Sequence, residues 1–229
     1  MKKIGLLGGM SWESTIHYYK IINESVRNRL GGLHSAECIL YSVEFAPLAD
    51  LMNSGLWSQV ASVLSEAALS LKKAGAEFLV ICTNTMHKVA SRISDLSSLE
   101  VLHIADSTAA KISESGINRV ALLGTTHTME GEYYREPFRR TGIELLVPGN
   151  ATRAIMDRII FDELCRGEVL QESKQILLDL IEEMRKDGAQ GVVLGCTELP
   201  NIIRQEDVTI PVFDTTRIHA EAAVAYATE

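Results

Sequence analysis

The sequence predicts an α/β protein of two pseudo-symmetric domains, each a parallel-rich sheet flanked by helices, with the active site in the cleft between them. Three observations carry this expectation. The chain is written twice: Gly75-Ala76-Glu77-Phe78-Leu79-Val80-Ile81-Cys82-Thr83-Asn84-Thr85 recurs as Gly188-Ala189-Gln190-Gly191-Val192-Val193-Leu194-Gly195-Cys196-Thr197-Glu198, displaced by 188 − 75 = 113 positions. Lys3 to Met10 matches Arg119 to Thr126 at a displacement of 116. Each copy is an apolar run that stops abruptly at small polar and thiol residues, which is how a buried parallel strand reads when its C-terminal tip carries chemistry. Strand signals alternate with helical ones, and that order implies parallel β-α-β units in a sheet covered on both faces.

The elements follow in order. In the first half, strands are expected at Ile4 to Leu7, Ile39 to Phe45, Phe78 to Ile81 and Val101 to Ile104. The clearest helix runs from Trp57 to Lys73, where Val60, Val63, Leu64, Ala67, Ala68 and Leu71 recur at helical spacing before Gly75 ends it. The second half repeats the series with strands at Val120 to Leu123, Ile143 to Val147 and Val192 to Leu194, and a helix around Glu172 to Lys186. A third matched pair, Leu102 to Thr108 against Pro211 to Thr216, sets Asp106 opposite Asp214. The expected domains are residues 1–105 and 106–214, the first completed by the C-terminal helix, 215–229.

Bulk properties narrow the function classes. Hydrophobic residues at 46% and charged residues at 23% suit a globular chain with a substantial core. A net charge of −8 with no Lys/Arg-rich run argues against a nucleic-acid partner, which needs a positive surface to displace counterions. The basic start Met1-Lys2-Lys3 leads into an apolar stretch broken by Gly8 and Gly9, so it reads as a first strand and not a signal peptide. No window approaches the apolar length of a membrane span. The four cysteines, Cys38, Cys82, Cys165 and Cys196, are scattered without zinc-ligand spacing, which points to free thiols in a reducing, cytoplasmic setting. Cys38 and Cys165 read as small buried hydrophobes.

In open parallel sheets, ligands lie beyond the carboxyl ends of the strands. Those ends are Gly8-Gly9-Met10, Thr83-Asn84-Thr85, Gly124-Thr125-Thr126 and Cys196-Thr197-Glu198. Such turns offer unpaired backbone N–H groups that can cradle a carboxylate. Gly5-Leu6-Leu7-Gly8-Gly9 is not a dinucleotide fingerprint, and no phosphate loop is present. Cys196 is the sharpest candidate nucleophile or base, since a thiol gains reactivity where a helix N-terminus lowers its pKa. The repeat makes Thr83 its equivalent. An acid and a base on opposite faces of a planar carbanion invert a stereocentre, and the pair suits that reaction.

The whole chain resembles the aspartate/glutamate racemase family. The motifs are Leu7-Gly8-Gly9-Met10-Ser11-Trp12-Glu13-Ser14-Thr15, Cys82-Thr83-Asn84-Thr85-Met86-His87, Leu122-Leu123-Gly124-Thr125 and Gly195-Cys196-Thr197-Glu198. The resemblance implies an amino-acid racemase that works without pyridoxal phosphate or metal and is often dimeric. It makes Thr83 and Cys196 the catalytic residues, and assigns Asn84, Thr85 and Thr197 to the substrate carboxylate and Met10 and Thr125 to the pocket. His87 is either an orienting group or a structural histidine. Glu198 either tunes the thiol or caps a helix.

Two departures matter. Most of the family has cysteine in both catalytic positions, whereas here the first is Thr83. Cys82, one step earlier on a strand, should face the other way. The resemblance therefore implies an asymmetric enzyme, with Cys196 as thiolate base and Thr83 as proton donor or relay. Acid-specific relatives also hold the distal carboxylate with an Arg after the second strand and a Lys before a Gly. Here those regions read Phe45-Ala46-Pro47-Leu48-Ala49-Asp50 and Glu163-Leu164-Cys165-Arg166-Gly167, with Cys165 where the Lys would stand. The substrate is therefore expected to be aspartate or glutamate, or a broader set of amino acids. The alternatives are a Cys-dependent decarboxylase or isomerase of dicarboxylic acids, and a non-catalytic amino-acid-binding protein.

Overall fold

The computed structural model describes all residues, Met1 to Glu229, and divides them into two units: Met1–Ile104 with His219–Glu229, and Ala105–Ile218. The first unit contains β1 (Ile4–Gly8), α1 (Trp12–Leu30), β2 (Cys38–Ser42), α2 (Phe45–Asn53), α3 (Trp57–Lys73), β3 (Phe78–Ile81), α4 (Ala90–Ser97) and β4 (Glu100–Leu102). The second contains α5 (Ile104–Glu114, from Ala105 on), β5 (Arg119–Gly124), α6 (Thr126–Glu130), α7 (Glu132–Arg140), β6 (Glu144–Leu146), α8 (Asn150–Arg158), α9 (Gln171–Lys186), β7 (Val192–Gly195) and β8 (Val212–Asp214). The last helix, α10 (Thr215–Thr228), returns the chain to the first unit from His219 onward.

Each unit holds one four-stranded, all-parallel sheet, in the orders β2-β1-β3-β4 and β6-β5-β7-β8. The duplication is visible in the register. Leu7 pairs with Ile81, and their repeat partners Leu123 and Leu194 pair with each other. The displacements of 116 and 113 are thus one structural equivalence, and it carries Thr83 onto Cys196. The third sequence pair fails this test: Val80 pairs with Leu102 and Val193 with Phe213, so the true displacement of the fourth strand is 213 − 102 = 111. Asp106 matches Arg217, not Asp214. Asp214 ends its strand and accepts from Thr216 N and Arg217 N at 2.9 and 3.2 Å, whereas Asp106 lies inside α5 and pairs with Arg140.

Strand alternation sorts the first unit's core onto two faces. Ile4, Leu6, Phe78, Val80 and Cys82 pack with Tyr18, Ile22 and Val26 of α1 and with Ala220, Ala223 and Val224 of α10. Leu7, Leu79 and Ile81 pack on the opposite face with α2, α3 and α4, including Leu48, Leu64, Leu71 and Ile93. The helices that follow β1 and β3 therefore lie on opposite faces. Adjacent strands whose helices diverge in this way form a topological switch point, the place where an open parallel sheet accommodates a ligand. Burying each of the Val, Leu, Ile and Phe side chains among them contributes about 1.5–3 kcal/mol.

The strand limits shift where helices begin early. β2 stops at Ser42, and Phe45 opens α2, whose Pro47 sits in the first turn where its missing N–H is not needed. β4 stops at Leu102, and Ile104 opens α5. The chain enters α1 through Ser11, whose hydroxyl accepts from Ser14 N at 3.3 Å as an N-cap. No helix is long and apolar enough to cross a membrane.

Candidate active site

Thr83 and its neighbours stand at the carboxyl end of β3. Thr83 is 9% exposed, and Asn84 and Thr85 are buried. Thr83's hydrogen bonds are made by its backbone, whose N–H donates to Ile81 O at 2.9 Å and whose carbonyl accepts from His87 Nδ1 at 2.8 Å. His87 lies on the short 3-10 turn Thr85–Val89 and is buried. A carbonyl can only accept, so His87 carries its proton on Nδ1. Burial pushes its pKa well below the usual value, with the neighbouring His103 and His219 adding to the effect, so the ring is neutral.

Three histidines from distant parts of the chain gather beneath this tip. The His87 ring centroid lies 4.6 Å from that of His103 and 5.5 Å from that of His219. His219 Nε2 donates to Leu102 O at 2.8 Å, which leaves Nδ1 to accept from Tyr18 OH at 2.8 Å. That arrangement fits the neutral ring, and burial lowers the His219 pKa to about 3. Sequence reading missed Tyr18, His103 and His219, because their positions share no spacing with His87. The only available signal was the prediction that the C-terminal helix completes this half.

Cys82 is fully buried, facing α1 and α10, and burial pushes its thiol pKa far up. It therefore belongs to the core. Met10 is also a core residue, 3% exposed and clustered with Leu7, Leu48 and Met52. The glycines at this end serve close packing. A Cβ on Gly8 would come within 2.4 Å of Thr15 Cγ2, and Gly9, at φ +93°, would meet Val43 O at 2.3 Å. Gly9 N already donates to Thr15 Oγ1 at 2.9 Å, so this loop does not offer that N–H to a ligand as the sequence suggested.

In the second unit, β5 and β7 approach closely because both end in glycine. A Cβ on Gly124 would stand 2.8 Å from Gly195 O. Thr125 then caps α6, with its hydroxyl accepting from Thr128 N at 3.4 Å. Cys196, Thr197 and Glu198 follow β7 and are all buried. Cys196 Sγ donates to Glu198 Oε2 at 3.0 Å, and Thr197 Oγ1 donates to the same oxygen at 2.8 Å.

This geometry runs against the expectation that a helix N-terminus lowers the Cys196 pKa. Burial pushes the Cys196 pKa well above the ordinary thiol value, and the Glu198 charge and hydrogen bond push it further in the same direction. The Glu198 backbone, at the start of the short turn Leu199–Asn201, lowers it by a hydrogen bond that these larger effects outweigh. Cys196 rests as a neutral thiol held against a carboxylate. Cys165, half-buried, adds a smaller upward push and therefore lies within electrostatic reach of Cys196.

The segment leading to Cys165 is irregular, a π-helical stretch Ile159–Glu163 followed by a 3-10 turn Leu164–Arg166. The buried Glu163 accepts from Arg158 Nη1 at 2.8 Å and from Ser173 Oγ at 2.5 Å. Arg166 is exposed and pairs with Asp162 at 3.6 Å. Both arginines near Cys165 are thus matched by local acids.

The chain is 49% identical, at a TM-score of 0.93, to a candidate Asp/Glu racemase from Yersinia pestis, with all of both chains covered. It is 36% identical, at a TM-score of 0.86 and again with full coverage of both, to an aspartate racemase homologue from Pyrococcus horikoshii. The broad-specificity amino-acid racemase RacX of Bacillus subtilis is 22% identical over 225 residues, covering 97% of this chain and 96% of the relative. The Asp/Glu/Hydantoin racemase family model matches residues 7–223, and the chain belongs to that family.

Proposed function

We propose that this protein is a cofactor-independent amino-acid racemase in which Cys196 and Thr83 serve opposite faces of the substrate Cα. The observation that carries this reading is the sheet register that makes Thr83 and Cys196 equivalent strand ends, joined to the hydrogen bond from Cys196 to Glu198. A zwitterionic amino acid gives up its Cα proton with difficulty, and a general base contributes about 10²–10⁴-fold. Cys196 becomes that base by passing its thiol proton to Glu198, an internal transfer that needs no thiolate at rest. Thr83, as proton donor or relay, delivers a proton to the other face and regains one from solvent. Asn84, Thr85 and Thr197 hold the α-carboxylate, and Met10 and Thr125 shape the pocket from the core and from the α6 cap. His87 fixes the Thr83 backbone through its carbonyl.

The substrate set is broad and includes amino acids with uncharged side chains. Two features support this: Cys165 stands near Cys196 where acid-specific relatives carry a Lys, and Arg158 and Arg166 are engaged by Glu163 and Asp162. The test is a panel of aspartate, glutamate, alanine, methionine and lysine as both enantiomers, read by chiral chromatography with Cys196→Ala alongside. Inversion that is lost in Cys196→Ala and survives a chelator and hydroxylamine supports the reading. Inversion of none of the five, or inversion sensitive to either reagent, defeats it.

A single thiol also favours a second reading, a decarboxylase or isomerase of dicarboxylic acids, because Thr83 supplies no second sulfur. That reading predicts turnover of the dicarboxylic acid without exchange of an amino-acid Cα hydrogen.

The functional protein is proposed to be a homodimer. Trp12, Ile16 and Tyr19 on α1 and Leu40 and Tyr41 on the edge strand β2 are exposed apolar side chains of one unit. Sedimentation should give twice the 25.2 kDa chain mass, and Ile16→Glu should shift it to the monomer.

A further inference from the structure

We infer that the Cys196 end carries a second activity, stereoretentive exchange of the Cα hydrogen of one enantiomer with solvent, running faster than inversion. This inference rests on the racemase reading above, and its basis is the single carboxylate oxygen shared by two donors. Glu198 Oε2 accepts from Cys196 Sγ at 3.0 Å and from Thr197 Oγ1 at 2.8 Å. The thiol, the carboxyl group and the threonine hydroxyl therefore form a local pool of exchangeable protons around one atom.

The steps balance without an oxidant or reductant. The Cys196 thiol proton moves to Glu198 Oε2, leaving a thiolate beside a neutral carboxyl. The thiolate takes the Cα proton, and the electron pair of the broken C–H bond stays on the substrate. In deuterium oxide the pool already holds deuterium at Glu198 and Thr197, so the substrate proton is diluted within it before anything returns. A deuteron passing back from Sγ to the same face of Cα gives labelled substrate of unchanged configuration. The net change is one Cα–H replaced by Cα–D and one proton released to solvent.

The Thr83 end is built differently. Its hydrogen bonds run through the backbone, to Ile81 and His87, and none joins its hydroxyl to a carboxylate. An aliphatic hydroxyl without a base releases and recovers protons far more slowly than a thiol coupled to a carboxylate. A carbanion formed by Cys196 is therefore reprotonated from the Cys196 side more often than from the Thr83 side.

The test follows both enantiomers of aspartate, glutamate, alanine, methionine and lysine in deuterium oxide. Proton NMR reads loss of the Cα hydrogen, and chiral chromatography with mass detection reads configuration and label together. One enantiomer of each turned-over pair should gain deuterium with retained configuration before its mirror image accumulates. Glu198→Gln should reduce that wash-in about 100-fold or more. Label confined to the inverted product, with none in recovered substrate, overturns the exchange activity and leaves the racemase reading standing. Equal wash-in from both enantiomers overturns it as well, because both ends would then exchange. Neither exchange nor inversion of any of the five overturns the racemase reading itself.

Discussion

Cys196 donates its thiol proton to Glu198, two residues further along the chain, across 3.0 Å in a buried strand end. The contact has opposite consequences for the resting protein and for turnover. At rest, the carboxylate charge raises the free energy of a thiolate beside it. During turnover, the same oxygen is the acceptor that lets the thiolate form without loss of a proton to solvent. Replacing Glu198 should separate the two effects. In Glu198→Gln the negative charge is gone, so Cys196 should ionise at lower pH. Iodoacetamide labelling of Cys196, mapped by mass spectrometry across pH, should show its profile moving down. Racemisation should fall about 10²–10⁴-fold in the same variant. A profile that moves up or stays in place would contradict the contact.

Thr83 limits one direction. Thr83→Cys would restore a thiol at the equivalent strand end, and the rate from the enantiomer served by that face should rise about tenfold or more. The rate from the other enantiomer should change little. Saturating initial rates (kcat) from each pure enantiomer check this, since kcat/KM must stay equal in the two directions for enantiomers of equal free energy; an equal gain in both kcat values would count against a division of labour between the two residues.

The histidine cluster predicts acid sensitivity. His87 and His219 are held neutral by burial, His219 down to about 3, while the unfolded chain protonates near 6.5. As pH falls below the unfolded value, the unfolded state takes up protons that the folded state refuses. Stability therefore declines from about pH 6.5 downward toward the folded pKa, by about 1.4 kcal/mol per pH unit for each ring. Urea titrations between about pH 6.5 and 5, above the carboxylate range, should show this slope, and His219→Gln should flatten it. A wild-type slope indistinguishable from that of the variant would remove the cluster from the explanation.

Much of the fold was legible because duplication and strand alternation are local signals. The central strands β3 and β7 and the helix α3 fall where apolar periodicity put them. The errors lie at edges. Phe45 and Ile104 look like the ends of strands but begin helices, since a short apolar run does not declare its period. Asp106 and Asp214 matched by letter and not by register, because Asp106 lies inside the helix that follows β4 whereas Asp214 ends β8. Cys196 stood out as a candidate site residue from its setting between Gly195 and two polar side chains. Its ionisation was not, since that depends on which way Glu198 turns. Tyr18, His103 and His219 were invisible for a related reason: the contacts of His87 with His103 and His219, and of His219 with Tyr18, exist only once α1 and α10 pack on the sheet that β4 completes.

Cys196 and Thr83 are proposed to act on one carbon from two sides, with most of the power at Cys196. The most direct measurement is the set of initial racemisation rates from each pure enantiomer for the wild type, Cys196→Ala and Thr83→Ala. The wild type should show unequal saturating rates (kcat) in the two directions, either variant should lose inversion in both, and Cα deuterium exchange from one enantiomer should survive in Thr83→Ala alone. Inversion that persists in Cys196→Ala, or exchange that survives there and vanishes in Thr83→Ala, would contradict it.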